Sequence, residues 1–520
     1  MQDPDKGMDR RDFLAKTAAV GVVATGALSA AGPAFARTLA PSKLKTVRYA
    51  MSGGLTPADL ADPAFSNTQH DGRLMTAVYE QLTRYDESLQ ARPWLAERWD
   101  SNKKGDVWTF TLRSGVRFHD GSPLTAKDVV YSFRRLLDPK TKSPSAGLLS
   151  FIDPTGIKAV GARRVSFKLK QAIADFPLAL ITKSSYIVKD GATSDELKLE
   201  ANGTGAFMLK EFQPGDDPTI FVRNKRYWGA GLPRADVLRL VSISEPAARI
   251  AALKRGQVDI IENPPGSEVP GLQGGNTRVV VQVKGDMELV AMQIDQEPFD
   301  DNRVRDAMKY ALDRQRMARL VAQGRGTIVN DIPIASFLQY ALPGPARAHD
   351  IAKAKALLKQ AGYGDGLEVT LSVSDVQARF VEWATVYKAM ASPAGIDVKL
   401  NVTPADTYWD NVWLKDPLFV SAWIARPTDS MLGLIFPSTA AWNETHWKRP
   451  SWDTRLAKAR RTLDVKARTG LYRQLQQEIV NEGGYLVAYM VNTVSATRRN
   501  VKGWRQSGTF FENFATIDIA

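Results

Sequence analysis

The stretch SAWIARPTDSML, residues 421–432, sets Arg426 and Asp429 three positions apart, beside Trp423 and Pro427. A guanidinium offers five donors in a planar fork that matches a carboxylate, so Arg426 is suited to holding an acidic group. Asp429 either accepts from a ligand amine or hydroxyl or holds Arg426 in place. The competing reading is a surface ion pair between the two, stiffening the turn after Pro427 and adding little stability. Downstream, AAWNETHWKRPSWD supplies Trp442, Asn443 and Trp447. An indole face packs on the apolar side of a sugar or an aliphatic chain, and an Asn amide both donates and accepts. DTYWDNVW, residues 406–413, offers Tyr408 and Trp409, either as ligand-facing aromatics or as core. This is the chemistry of recognition rather than of bond breaking.

Catalytic groups are hard to assemble from the same chain. It has no Gly-Lys dipeptide and therefore no P-loop, and it lacks G-x-G-x-x-G and G-x-S-x-G. Its four histidines, His70, His119, His349 and His446, are scattered without H-E-x-x-H or another metal spacing, and there is no cysteine to build a zinc or iron–sulfur site. S-x-x-K occurs at Ser42/Lys45 and Ser101/Lys104, both in polar stretches. Carboxylates are too numerous for sequence to single out a glycosidase pair, whose spatial separation decides the chemistry. No catalytic residue, metal or cofactor is expected, and a binding protein is the reading that remains.

The elements that must carry the binding residues are of both kinds. VWTFTLR, 107–113, sets Trp108, Phe110 and Leu112 against Val107, Thr109 and Thr111, the two-residue period of a half-buried strand, and RVSFKLK, 164–170, repeats it. In DDNRVRDAMKYALDRQRMARLVAQG an Asp pair offers an N-cap, Val304, Ala307, Met308, Ala311 and Leu312 form one face, and Gly324 is the expected stop. HDIAKAKALLKQAGYGDG reads as a helix from the Asp350 cap to Gly362. Two helices between Trp452 and Glu482 precede the strand-like YLVAYMVN. The class is α/β or α+β.

At 520 residues the chain exceeds the size at which one core stops growing, so more than one lobe is expected. The net charge of +13 is dispersed; nowhere do three basic residues follow one another, which argues against nucleic acid as a partner. At the N-terminus, Arg10-Arg11, the apolar run Ala18 to Ala31 and the exit Ala34-Phe35-Ala36 read as a signal peptide of twin-arginine type. No later segment has 18 consecutive apolar residues. Without a Cys after the signal there is no site for a lipid anchor, and an exported, periplasmic, unanchored protein is expected. Either Met1 or Met8 could be the start.

Four stretches in order, FTLRSGVRFHDGSPLTAKDVVYSFRRLLDP (110–139), NGTGAFMLKEF (202–212), PFDDNRVRDAMKYALDR (298–314) and AKALLKQAGYGDG (354–366), resemble the extracellular solute-binding proteins of peptide, nickel and opine ABC importers. Read from the residues alone, Gly203 and Gly205 call for positive φ or close backbone approach, and His119 is a turn residue with a satisfied imidazole. The resemblance implies a periplasmic-binding-protein fold, two α/β lobes about a hinge, the first carrying an inserted subdomain. It divides the chain into 37–79, 200–286 and 489–520 for the core of lobe 1, 80–199 for the insert and 287–488 for lobe 2. It also implies that Tyr49, Ser52 and Gly53, at the end of a first strand, contribute to the cleft, and that the partners are a small ligand and a membrane permease, with the receptor a monomer.

In dipeptide-binding relatives the loop matching 421–432 carries an acid three places after the Trp, where it meets the peptide's amino terminus. Here that place is Arg426, and a free α-amine would face a cation in a poorly solvated cleft. The pattern of WIARPTDSM followed by WNETHW is similar to the opine-binding subgroup, whose ligands bear carboxylates and hydroxyls. The candidate site is therefore Arg426, Asp429, Trp423, Trp442, Asn443, Tyr49, Ser52, Gly53 and Trp409. An opine-like conjugate is the expected solute, a short peptide the alternative, and a hydrolase of such compounds the reading from another class.

Overall fold

A computed structural model describes residues 44–520 apart from 54–58, 67, 378 and 506–510, with Gln69, Val283 and Lys284 described in backbone only. The expected signal peptide, 1–36, lies outside the described residues.

Alternation becomes strand where the period demands it. Val107–Leu112 buries Trp108, Phe110 and Leu112 and pairs antiparallel with Arg164–Lys168, Phe110 opposite Val165. Asp350 caps Ile351–Gln360 by accepting the Lys353 amide at 2.9 Å, and Gly362 follows it at φ +97°. The helix expected from Asp301 to Gly324 is instead two. Asn302–Ala311 ends at an extended Leu312, and Asp313 starts Arg314–Leu320 by accepting the Arg316 amide at 2.9 Å. A short acceptor side chain inside an apolar period competes for backbone N–H groups and opens a new N-terminus there.

Gly203 and Gly205 answer the choice between positive φ and close approach in favour of the second: a Cβ would lie 2.0 and 2.5 Å from the Val78 carbonyl oxygen. Between them Thr204 donates to Glu80 at 2.8 Å, which also receives Tyr227 and Trp228, and burial raises the Glu80 carboxyl to about 7. His119 sits in a turn closed by Gly121, its Nε2 3.0 Å from the Gly205 carbonyl oxygen.

Among the described residues the main sheet has twelve strands. Its central path runs Ile396–Val402, Leu367–Val373, Leu418–Trp423, Thr277–Met292, Tyr489–Arg498, Ile260–Glu262, Thr46–Met51, Val237–Ser242, Thr219–Arg223, Phe207–Glu211. Thr277–Met292 joins the two halves. Its first part, Thr277 to Gln282, pairs with Arg498 to Thr493; the register shifts before Asp286, and Met287 to Met292 then pair with Trp423 to Leu418. A ladder interrupted between two well-paired segments is the place where a sheet bends most readily.

Buried apolar side chains form separate clusters on the two sides of that break. Trp383, Tyr387, Trp452 and Tyr485 centre one beyond it. Tyr49, Phe221, Leu240 and Trp504 centre another with the first strands, joined by Tyr186 and Val188. Phe110, Phe133, Phe167 and Phe176 hold a third, built within 82–187 on a four-stranded sheet of its own. These clusters describe a mixed α/β molecule of two lobes.

Candidate functional site

The opening loop leaves Leu418–Trp423 at the end nearest the register break and starts helix Thr428–Ile435. It is tied to the crossing strand by the Ala425 amide, which donates to Asp286 at 2.9 Å, and to lobe 2 by Thr428 Oγ1, which donates to the Gln339 carbonyl at 2.5 Å. Arg426 is half-buried between these anchors. Its charge acts on Tyr85 and Lys183, both from segment 80–199. Burial lowers the Lys183 ammonium to about 8, Asp71 opposing the shift and Arg426 adding to it. The charge of Arg426 thus reaches Lys183 in segment 80–199, where Asp71 counters it.

Asp429 does not pair with Arg426. Its carboxylate accepts from Arg460 Nε at 2.7 Å and from Tyr472 OH at 2.8 Å, which fixes helix Thr428–Ile435 to Pro450–Arg461 and Val465–Glu482. Nearby, the insert docks on lobe 2: Asp175 accepts from Arg468 at 2.9 Å and Tyr340 at 3.0 Å, the Ala174 amide donates to the Arg460 carbonyl, and Leu463 packs on the insert's core. Burial raises the Asp175 carboxyl above its ordinary value, with Arg468 opposing.

The aromatic candidates gather on one face of lobe 2. Trp423, 4% exposed, donates to Glu444 at 2.9 Å; Trp413 donates to the same carboxylate at 2.6 Å, Tyr485 at 2.9 Å, and Ser421 completes the set. Trp442 is half-buried, its ring 6.0 Å from Trp423 and 6.3 Å from Trp413. Trp409 lies against Trp413, Tyr408 and Phe380. Asn443 is buried, with its amide oxygen accepting from the Trp447 amide at 2.9 Å and its nitrogen donating to the Trp447 carbonyl at 2.6 Å. In this structure it closes its own loop.

On lobe 1 the three candidates part company. Tyr49 is fully buried between Trp504 and Phe514, its hydroxyl donating to Glu262 at 2.9 Å, so it belongs to the core and not to the cleft wall. A strand's successive side chains point to opposite faces, and this one points inward. Ser52 gives both its amide and its hydroxyl to Glu262 at 2.7 Å, and a Cβ on Gly53 would meet open space among the described residues. Arg73 pairs with Glu262 and, at 3.8 Å, with Glu512. Burial pushes the Glu262 carboxyl up, but Arg73, Ser52 and Tyr49 more than offset it and hold the group below its ordinary value.

Lys183, Glu262, Arg73 and Glu444 were not singled out from sequence. Lys183, Glu262 and Arg73 lie in segments without a motif, and the partners named for Glu262 and Arg73 are mostly far away in the chain. For Glu444 a signal existed: a carboxylate inside an aromatic run, WNETHW, has to find donors if it is buried.

Residues 90–445 match the model of the bacterial extracellular solute-binding proteins, family 5 middle. The chain is 25% identical over 478 residues to the glutathione-binding protein GsiB of Pectobacterium atrosepticum, covering 88% of this chain and 91% of that one. The unliganded open form of MppA, a periplasmic murein tripeptide-binding protein, aligns at TM-score 0.82 and 24% identity, covering 92% of this chain and 98% of the other. AgaA of A. tumefaciens R10 in complex with agropinic acid aligns at TM-score 0.69 and 23% identity, over 91% and 99%.

Proposed function

We propose, for a chain that belongs to the bacterial extracellular solute-binding proteins of family 5, that its solute is a small carboxylate-bearing conjugate of opine type, enclosed between two lobes. The chain is the substrate-binding receptor of an ABC importer and works with a membrane permease; its family and neighbours are binding proteins of transporters. No described helix is long and apolar enough to cross a membrane. What supports the ligand class is the half-buried Arg426, held in a loop anchored to Asp286 and Gln339, whose charge also acts on the Lys183 ammonium of segment 80–199. A carboxylate between the two cations removes a like-charge repulsion and gains charge-assisted hydrogen bonds from both sides, so it favours the closed arrangement over the open one.

A short peptide is the second reading, and the likeness to GsiB favours it, since glutathione also carries carboxylates. In either case the core of lobe 1 comprises 37–79, 200–286 and 489–520, the insert 80–199 and lobe 2 287–488, with twin-arginine export to the periplasm as a monomer. The solvent-facing parts of Trp442 and Trp409 supply an apolar wall. Ser52 and Gly53 form the lobe 1 side, whereas Asp429 and Asn443 act through the loops they hold.

The test is calorimetric titration of wild type and Arg426→Ala with an opine-type conjugate, with glutathione and with di- and tripeptides, each as free acid and as amide. The expected result is tightest binding of one free acid, with a loss on the order of 2–5 kcal/mol in Arg426→Ala, because the ligand charge is left unpaired. Equal affinity of wild type and variant for every acid would remove the carboxylate reading. Preference for peptides over conjugates would select the second reading.

A further inference from the structure

Helix Gln69–Val78 opens on a polar cluster that the solute site does not use. Asp59, His70 and Asp71 are 1%, 2% and 4% exposed. The His70 ring stacks on Phe212 with 11° between planes, and its Nε2 lies 3.2 Å from Thr219 Oγ1. Its Nδ1 is buried without a hydrogen-bond partner and faces Asp59 Oδ2 at 3.9 Å. That separation is too long for a hydrogen bond. It suits two atoms that share a third between them, as a metal bonded to nitrogen and oxygen at about 2.0–2.2 Å requires. One donor atom from each of the three residues lies within 4.8 Å of the other two.

We propose that Asp59, His70 and Asp71 bind a divalent first-row metal ion, with Zn²⁺ the best fit and water completing its coordination. An imidazole beside two carboxylates disfavours Mg²⁺ and Ca²⁺, which take oxygen ligands, and the order of affinities along the row favours its later members. The supporting shell is in place. Thr219 orients the His70 ring, Thr68 Oγ1 donates to Asp59 at 3.3 Å, and the Thr68 amide donates to Asp71 at 3.0 Å. Holding each ligand from behind is the usual requirement of such a site. Of the nearby cations, Arg73 pairs with Glu262 and Glu512 and also acts on His70, while Lys183 acts on Asp71. A bound ion would tie Asp59 to the start of the helix and stiffen the wall of lobe 1 behind Lys183.

The experiment titrates untagged, chelator-treated mature protein with ZnCl2, by calorimetry and by thermal melting. One ion per chain and a raised melting temperature are expected, with Mg²⁺ giving neither. Asp59→Asn and His70→Gln should each weaken binding about 10-fold or more, as lost ligands do. His446→Gln is the control: its imidazole lies 2.6 Å from Asp295 near the surface, and its loss should leave the affinity unchanged. If His70→Gln does not fold, Asp59→Asn and the imidazole nitrogen coupling in the EPR spectrum of Cu²⁺-loaded wild type take its place. Absence of saturable uptake by wild type, undiminished uptake in Asp59→Asn, absence of an imidazole coupling, or loss of binding in His446→Gln would overturn the site.

Discussion

Lys183 carries the clearest pH signature at the scale of a single residue. Its ammonium titrates near 8 in the folded chain instead of 10.5, because burial disfavours the charge. Above that pH, a ligand carboxylate that needs the cation must bring a proton with it. Affinity for a free-acid ligand is expected to fall as pH rises through 8, at a limiting slope of roughly 10-fold per pH unit. Lys183→Arg should stay charged and flatten the profile, whereas Arg426→Lys should keep the profile and weaken binding throughout, since it loses the fork. In the ligand-free chain the sign is opposite. Between 8 and 10.5 the unfolded chain still holds protons that the folded one has released from Lys183 and from Lys309, which burial also lowers to about 8, so stability rises with pH there, and Lys183→Met reduces the rise by about half. Calorimetry and denaturant titration on both sides of pH 8 read the two effects; a wild-type affinity that does not change across this range would exclude Lys183 from the site.

The strand and loop elements of lobe 2 depend on Glu444. Four donors from Trp413, Ser421, Trp423 and Tyr485 converge on this fully buried carboxylate and bind loop 440–447 to strand Leu418–Trp423. Replacing it by Gln sets an amide donor against groups that already donate, and each stranded buried donor costs about 1–3 kcal/mol. Glu444→Gln should therefore lower unfolding stability by a few kcal/mol, about 2 or more, and alter the near-UV circular dichroism of the tryptophans around Trp442. A variant as stable as wild type would mean that the carboxylate does not act as a pure acceptor.

For the whole molecule, the proposed enclosure of a solute requires the lobes to move about the crossing strand Thr277–Met292 and against the docked insert. The register break between Gln282 and Asp286 is where that strand is expected to bend most readily. Asp175, Arg468 and Tyr340 hold the insert against lobe 2. Saturating ligand is expected to reduce the radius of gyration in solution scattering and to raise the melting temperature, because it binds a native arrangement that the unfolded chain lacks. Asp175→Asn leaves Arg468 without its charge partner; breaking a buried pair costs about 3 kcal/mol or more, and the ligand-free radius of gyration should increase. Identical scattering curves with and without saturating ligand would exclude large closure, and an unchanged curve for Asp175→Asn would reduce that pair to a local contact.

What sequence by itself determined is whatever depends on near neighbours. The strand Val107–Leu112, the cap at Asp350 and the paired helices before Glu482 follow from period and from side chains within one turn of the groups they satisfy. The charge and loop position of Arg426 were legible for the same reason. Its electrostatic influence on Lys183, the diversion of Asp429 to Arg460, the inward turn of Tyr49 onto Glu262 and the grouping of Asp59 with His70 were decided only by the tertiary structure. A buried polar group takes the partner that packing brings within about 3 Å. That partner lies 31 residues away for Asp429 and 213 for Tyr49, and no local spacing encodes such a meeting.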